Sequence, residues 1–441
     1  MIGYDYQGNQ VLLLINGKGK GKEYYKNGKL FFEGEYLKGL KNGKGKEYNY
    51  NGELIFYGEY SHGERWNGKG KIFFNNCLYS YGKLEFEGEY LEGKKNGKGK
   101  EYFKNGNIEY DGEYLNGVKN GKSKEYSQNG ELIFEGDYLN GQRFNGKGKE
   151  YNNKKKLIFE GVYSNGQKIG KSKEYYLNGN LKFEGEFSNG NRNGKGKEYN
   201  ELGKLLYEGD YLNGLRSGKG KEYNELGNLL YEGDYLYGER NGKGKEYNEL
   251  GNLLYEGDYL NGLRSGKGKE YNELGNLLYE GGYLNGLRSG NGKEYFKSGK
   301  LLFEGEYLNG LKNGKIKEYY ESGNLFFDGE YSNGKRNGKV KIYYDNGNLL
   351  FIGEYLNGER NGKGKEYNED NEIEFEGEYN NGKKWNGKGV EYDLNGNLEF
   401  NGEYKNGQRW KGILIEYDLE DGKIIFEGEI IDGEKIENDP Q

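Results

Sequence analysis

Carboxylates and amines are the reactive groups this chain has in abundance, and they stand at fixed positions. In Tyr207-Glu208-Gly209-Asp210-Tyr211 two acids flank a glycine, and Lys219-Gly220-Lys221 follows with two amines. Paired carboxylates do acid–base chemistry when a local environment drives their pKa values apart. Here the same pair recurs in register along the whole chain, so no one pair is set apart. His62 and Cys77 are the single histidine and the single cysteine. Two ligands do not make a zinc site, and no Ser/His/Asp set assembles around one histidine. Gly-Lys-Gly-Lys-Glu lacks the spacing of a phosphate-binding loop, and no helical pattern follows it. The expectation is a protein that is not an enzyme, with no catalytic, metal or cofactor site.

What remains is contact chemistry. Four loops carry one extra residue, and each time it is an aromatic beside a cation: Arg65-Trp66, Arg143-Phe144, Lys384-Trp385 and Arg409-Trp410. All three tryptophans lie in these loops. Tryptophan and arginine dominate binding energy at protein interfaces. Trp66, Phe144, Trp385 and Trp410, with Arg65, Arg143 and Arg409, are therefore the candidate partner contacts. The competing expectation is that each ring tucks under its own loop and fills a gap.

The elements that carry these residues follow from a repeat. The glycine of the Tyr-Glu-Gly-Asp-Tyr phrase recurs seventeen times between Gly34 and Gly428, at a spacing that is mostly 24 residues. A period of this size means stacked units with contacts between neighbours. Within one copy, Leu205, Tyr207, Gly209 and Tyr211 alternate with Leu206, Glu208, Asp210 and Leu212. Period two with aromatics on one side marks a half-buried strand. Asn213-Gly214 turns the chain, Lys219–Tyr223 forms a second strand, and Asn224-Glu225-Leu226-Gly227 turns it again. No stretch has helical periodicity. The predicted fold is all-β: an elongated single-layer antiparallel β-meander rod of ~24-residue hairpins. At ~4.8 Å per strand the rod would run about 160 Å.

Tyr207, Gly209, Tyr211 and Tyr223 are the predicted packing residues. Gly209 sits between two rings on one face, where a side chain would meet the neighbouring copies. Simple alternation puts Tyr223 on the opposite face from Gly218 and Gly220. A bulge in that glycine pair would return it to the aromatic face, and this is the expectation adopted. Carboxylates facing lysines across the strands help keep a long sheet soluble.

Composition narrows the classes further. With 82 Gly but 1 Pro the chain is not collagen, and 47 Tyr with 20 Phe set it apart from a disordered polar chain. Basic and acidic residues number 66 and 72, a net charge of −6, which gives no case for nucleic acid. The apolar run Val11–Ile15 is too short for a signal peptide or a membrane span, so a cytoplasmic protein is expected. Residues 1–30 read as a capping strand with a degenerate first copy, 31–411 as the tandem array, and 412–441 as an atypical capping copy and tail. Between Gly58 and Gly88 an insertion containing Phe73–Tyr79 reads as a longer hairpin tip.

The phrase Tyr-Glu-Gly-Asp-Tyr, then Asn-Gly, then Gly-Lys-Gly, then an aromatic, resembles the MORN repeat (membrane occupation and recognition nexus). Lys22–Leu30 and Lys317–Leu325 are similar to the variant repeats of bacterial proteins with antitoxin-like annotation. The resemblance covers nearly the whole chain. It implies an elongated β array acting as a scaffold for protein partners, homodimer formation, and in some relatives a place beside membranes. Binding to anionic lipid is the alternative function, through aligned lysines. A carbohydrate-binding repeat is the second alternative, weakened by having only three tryptophans.

Overall fold

The computed structural model describes residues 2–4, 10–74, 82–418 and 422–436. The chain forms two compact units, residues 1–215 and 216–441, and each is described by itself. Within each unit, strands that follow one another in sequence pair antiparallel, and the described residues contain no α-helix. Each unit is a β-meander of hairpin repeats, as the period predicts.

One copy in the second unit shows how the sequence dictates this. Its lead strand is Leu253–Leu260 and its return strand Leu263–Tyr271. They are joined by Asn261 and Gly262 with φ of 49° and 81°. Two successive positive φ values give the turn whose twist matches that of paired strands, and Asn-Gly adopts it at least cost. The opposite turn, Asn272 to Gly275, is shaped by a side chain. Asn272 Oδ1 accepts hydrogen bonds from the backbone N–H of Leu274 and Asn276, both at 2.9 Å. Each turn also ties to its neighbour: Gly286 N–H donates to the Arg264 carbonyl (2.9 Å) and Asn252 Nδ2 to the Glu273 carbonyl (3.1 Å).

The two faces of each sheet differ. Tyr255 and Tyr259 lie on one, with Arg264, Gly268 and Glu270 of the return strand. Tyr255 is fully buried although the sheet has a single layer. Rings meet edge to face within a copy (Tyr255–Tyr259, 5.5 Å) and between copies (Tyr231–Tyr259 and Tyr255–Tyr283, both 5.3 Å). This herringbone is the arrangement that ring quadrupoles favour. The glycines make room for it. Gly257 faces Gly268 across the strands, and a Cβ on Gly257 would lie 2.7 Å from Gly268 Cα. In the first unit Tyr207 and Tyr211 are buried in the same way, and Gly209 faces Gly196.

Tyr223 departs from expectation. Its counterparts in the return strands lie on the lysine face: the Tyr247 hydroxyl donates to Glu232 at 2.8 Å and that of Tyr271 to Glu256 at 2.7 Å. The half-buried Tyr223 holds the same register, opposite Leu229. The glycine pair does bulge, but by two residues: Gly257 pairs with Gly268 while Tyr259 pairs with Arg264. An even slip leaves side chains on their original faces, so nothing returns this tyrosine to the aromatic side.

The loops with one extra residue settle their register differently. An odd insertion should throw every later side chain onto the wrong face. Instead the central glycine pairs with the first glycine of the return strand rather than the second: Gly136 with Gly146, Gly58 with Gly68, Gly377 with Gly387, and Gly402 with Gly412. The two-residue bulge becomes a one-residue bulge, with Phe144, Trp66, Trp385 or Trp410 as the unpaired residue. Both faces are preserved.

Candidate partner-contact surface

The aromatic face is roofed by its own charges. Arg264 lies over the Tyr255 ring, 4.1 Å from its centroid. The same guanidinium binds Glu246 of the preceding copy and Glu270 of its own, the latter at 3.4 Å. Arg288 repeats this with Glu270 (2.5 Å) and Glu294 (2.6 Å). Lys312 continues it to Glu294 (3.5 Å) and Glu318 (3.3 Å), and Arg336 reaches Glu318 at 3.2 Å. Across these copies a row of alternating charges lies on the rings. The cations add cation–π attraction and cover apolar surface with their stems. No second layer is needed to bury the rings.

Hydroxyls complete the row. Tyr283 donates to Glu270 at 2.7 Å, Tyr307 to Glu294 at 2.7 Å and Tyr379 to Glu366 at 3.1 Å. Burial resists ionisation of Glu270, but hydrogen bonds from Arg288 and Tyr283 outweigh it and hold the carboxyl below its ordinary pKa. For Glu391 the same opposition is won by Tyr404 and Arg409. The phenols shift the other way. Burial, then the hydrogen bond to Glu232, pushes Tyr247 up to about 12.

The loop cations belong to this row. Arg65 binds Glu47 at 2.9 Å, Arg143 binds Glu125 at 2.8 Å, and Arg409 binds Glu391. Their guanidinium carbons lie 5.1, 5.0 and 5.4 Å from the ring centroids of Phe56, Phe134 and Phe400. These three side chains face inward, held as in any other copy. The loop aromatics lie apart from them, over the turn of the next copy. The Trp66 carbonyl accepts from Gly93 N–H, that of Phe144 from Gly166, that of Trp385 from Gly407, and that of Trp410 from Gly433. A Cβ on Gly407 would touch the Trp385 ring at 3.1 Å, and Lys405 Nζ stands 4.2 Å over Trp410. Trp66 is 39% exposed and the other three rings are half-buried. Each tryptophan ring therefore fills space beside a turn and still presents an edge outward.

The opposite face carries lysines and carboxylates in exposed pairs, such as Lys219–Asp234 at 2.7 Å and Lys243–Asp258 at 2.6 Å. The sequence reading passed over three positions on this face, Tyr57, Val162 and Ile352, where an apolar residue takes the place of a carboxylate. Setting the copies beneath one another would have shown them. His62 Nδ1 lies 3.0 Å from Ser61 Oγ, and Cys77 falls outside the described residues, as does most of the insertion that holds it. Among the described residues no three His, Cys, Asp or Glu side chains are grouped to hold a metal ion, and no helix is long and apolar enough to cross a membrane.

A MORN repeat model matches residues 32–53, 86–108, 183–200, 207–224, 231–248, 255–272, 279–300 and 351–372. A model of the MORN repeat variant matches 18–38, 119–140, 168–189, 192–213, 240–261, 312–333 and 336–357. No curated protein matches the chain. Among solved structures it is similar to a chain in a crystal structure of TcdB2-TccC3-Cdc42, at 12% identity over 95% of this chain and 24% of that one, with a TM-score of 0.17. It is also similar to a chain of the Photorhabdus luminescens Tc holotoxin pore carrying a TccC3 mutation, at 13% identity over 93% and 24%, with a TM-score of 0.16. The chain thus spans about a quarter of the length of those proteins. Likeness at such TM-scores says nothing of what it does.

Proposed function

The chain belongs to the MORN repeat family, and on that premise we propose that it is a non-catalytic scaffold that docks or spaces partner proteins and associates with itself. The observation that carries this reading is the shared charge row. In the most regular copies an arginine binds a carboxylate of its own copy and one of the copy before it, as in Glu246–Arg264–Glu270–Arg288–Glu294. Groups that could act on a small molecule are spent in joining copies. What the copies leave outward is repeated surface: turn edges, loop rings and lysine rows. Repetition of one surface suits attachment at intervals better than chemistry at one point.

The test is affinity capture with cross-linking, using the full chain beside a variant with Trp66, Trp385 and Trp410 replaced by Ser. The expected result is a defined set of proteins held by the first and released by the second, with sedimentation showing a self-associated species. Co-sedimentation with anionic vesicles that salt abolishes, with no protein captured, would refute the scaffold and favour a membrane-surface module.

A further inference from the structure

The three apolar replacements at carboxylate positions of the lysine face each line a broad groove. In the first unit a groove of about 790 Å³ is lined by Tyr57 and one of about 920 Å³ by Val162. In the second unit one of about 750 Å³ is lined by Ile352. Regular copies hold a carboxylate at these positions, as at Glu256 and Asp258. Tyr57 stands opposite Lys46 on one flanking strand and Lys69 on the other. Ile352 stands in the same way between Lys341 and Lys365. Val162 lies between Lys147 and Ile169.

Each replacement has two effects. It removes the negative charge that the facing lysines would otherwise meet, and it gives the groove an apolar floor. Six lysines and four glutamates line the Val162 groove. Tyr57 is 48% exposed, a large ring left open in a groove that Val11, Leu12 and Leu13 also line. The lysines beside it turn to carboxylates further away, Lys46 to Glu33 at 3.7 Å and Lys69 to Glu89 at 3.2 Å. Exposed pairs of this kind are weak and exchange readily for a better anion. Copy eleven makes an instructive contrast. There Gly282 takes the acidic position, but Asn291 takes a lysine position, so charge stays balanced and no apolar side chain is gained.

We propose that these grooves are sockets for acidic, extended segments of a partner protein in which an apolar side chain lies between two carboxylates. The proposal rests on the scaffold reading and names the chemistry of its partner. Lysines on the two strands flanking Tyr57 or Ile352 are two strand spacings apart, roughly 10 Å. An extended chain advances ~3.3 Å per residue and alternate side chains share a face, so carboxylates four residues apart, about 13 Å, point to the same side and reach both lysines. A residue between them then rests on the apolar floor. A single strand threads between the carboxylates that remain on this face, whereas a sheet of anionic headgroups would meet all of them at once.

The experiment is fluorescence anisotropy with a labelled peptide of repeated Glu-Ser-Leu-Ser tetrads and the full-length chain. The variants Tyr57→Glu, Val162→Asp and Ile352→Glu each restore the carboxylate of a regular copy, so they keep the fold. The expected result is salt-sensitive binding that falls at least tenfold in the triple variant, and as much when the peptide leucines become serine. Equal binding by the triple variant, or binding of phosphatidylserine vesicles but not of peptide, overturns the proposal. An unaltered chain that captures protein partners but ignores the peptide rejects the sockets and leaves the scaffold standing.

Discussion

Replacing Gly257 by Ala should disturb one copy far more than replacing Gly275, although both changes add a single methyl. At Gly257 the new Cβ would sit 2.4 Å from the Tyr255 hydroxyl, 2.7 Å from Gly268 Cα and 2.7 Å from the Lys267 carbonyl oxygen. Two of the three are backbone atoms of the paired strand, which cannot turn away as a side chain can. Overfilling a packed site costs about 1–3 kcal/mol. With backbone in the way the upper half of that range applies. Alanine also restricts the unfolded chain, which returns about 0.4–1 kcal/mol, leaving a net loss of about 2 kcal/mol. Gly275 has open space around it but a φ of +84°. Its cost is the left-handed strain of about 1–2 kcal/mol less the same return, so about 1 kcal/mol or below. Repeat arrays need not unfold in one step, so the readout should be local. Native-state hydrogen exchange of amides in Leu253–Leu260 and Leu263–Tyr271 serves. A loss of about 2 kcal/mol lowers protection roughly 30-fold. If Gly257→Ala lowers it no more than Gly275→Ala, the cross-strand glycine pair is not what lets the rings lie down.

Arg264→Ala should destabilise its copy by about 2 kcal/mol, since it uncovers Tyr255 and leaves Glu246 and Glu270 facing each other without their shared cation. Arg264→Lys should recover most of this, because Lys312 holds the equivalent place; chemical denaturation of the three proteins checks it. Alkali should loosen the fold. Burial and carboxylate partners raise Tyr199, Tyr247, Tyr271 and Tyr295 to about 12 in the folded state. Their contribution is whole below the ordinary phenol value of ~10 and disappears as pH climbs from there through about 12. An alkaline transition in circular dichroism that does not move when these four tyrosines are replaced by Phe would contradict a role for the hydroxyl–carboxylate bonds. Trp385→Ala should cost about 1–2 kcal/mol if its ring chiefly fills the space beside Gly407, as a half-buried fraction of a full tryptophan deletion. An unchanged melting profile with lost partner capture would make the ring an anchor and not a filler.

Much of the fold is readable from residue order, for reasons that are local. Alternation in Leu205–Leu212, positive-φ turns at Asn-Gly and the 24-residue period each act over a few residues, and the sheet adds them up. Gly209 was placeable because two aromatics of one face flank it. Tyr223 was not, because its face depends on whether the glycine bulge slips by one residue or by two. That is settled by which residue of the return strand faces the central glycine of the strand before it, as Gly268 faces Gly257. The cover of the aromatic face was hidden for a similar reason. Glu246, Arg264 and Glu270 look like surface charges in the sequence, and only pairing across copies eighteen residues apart shows them as one row. The loops were legible as loops with an aromatic and a cation. That the two side chains part company, the cation inward and the ring onto the next turn, follows from the register change that the extra residue forces.

That register change has a consequence for how such a protein can vary. Most sheets punish the gain of a single codon, because everything downstream is turned inside out. Here two glycines stand two places apart on most return strands, and either can face the central glycine, so the ladder has an expansion joint in most of its rungs. An odd residue is absorbed where it arises and the mistake is not passed on. Unequal recombination between the near-identical stretches of residues 194–290 would likewise remove or add whole rungs and leave the junction with the contacts it had before. The length of the array is then something a lineage can adjust by copying, while the lettering of individual rungs, at Tyr57, Val162 or Ile352, is free to diverge one at a time.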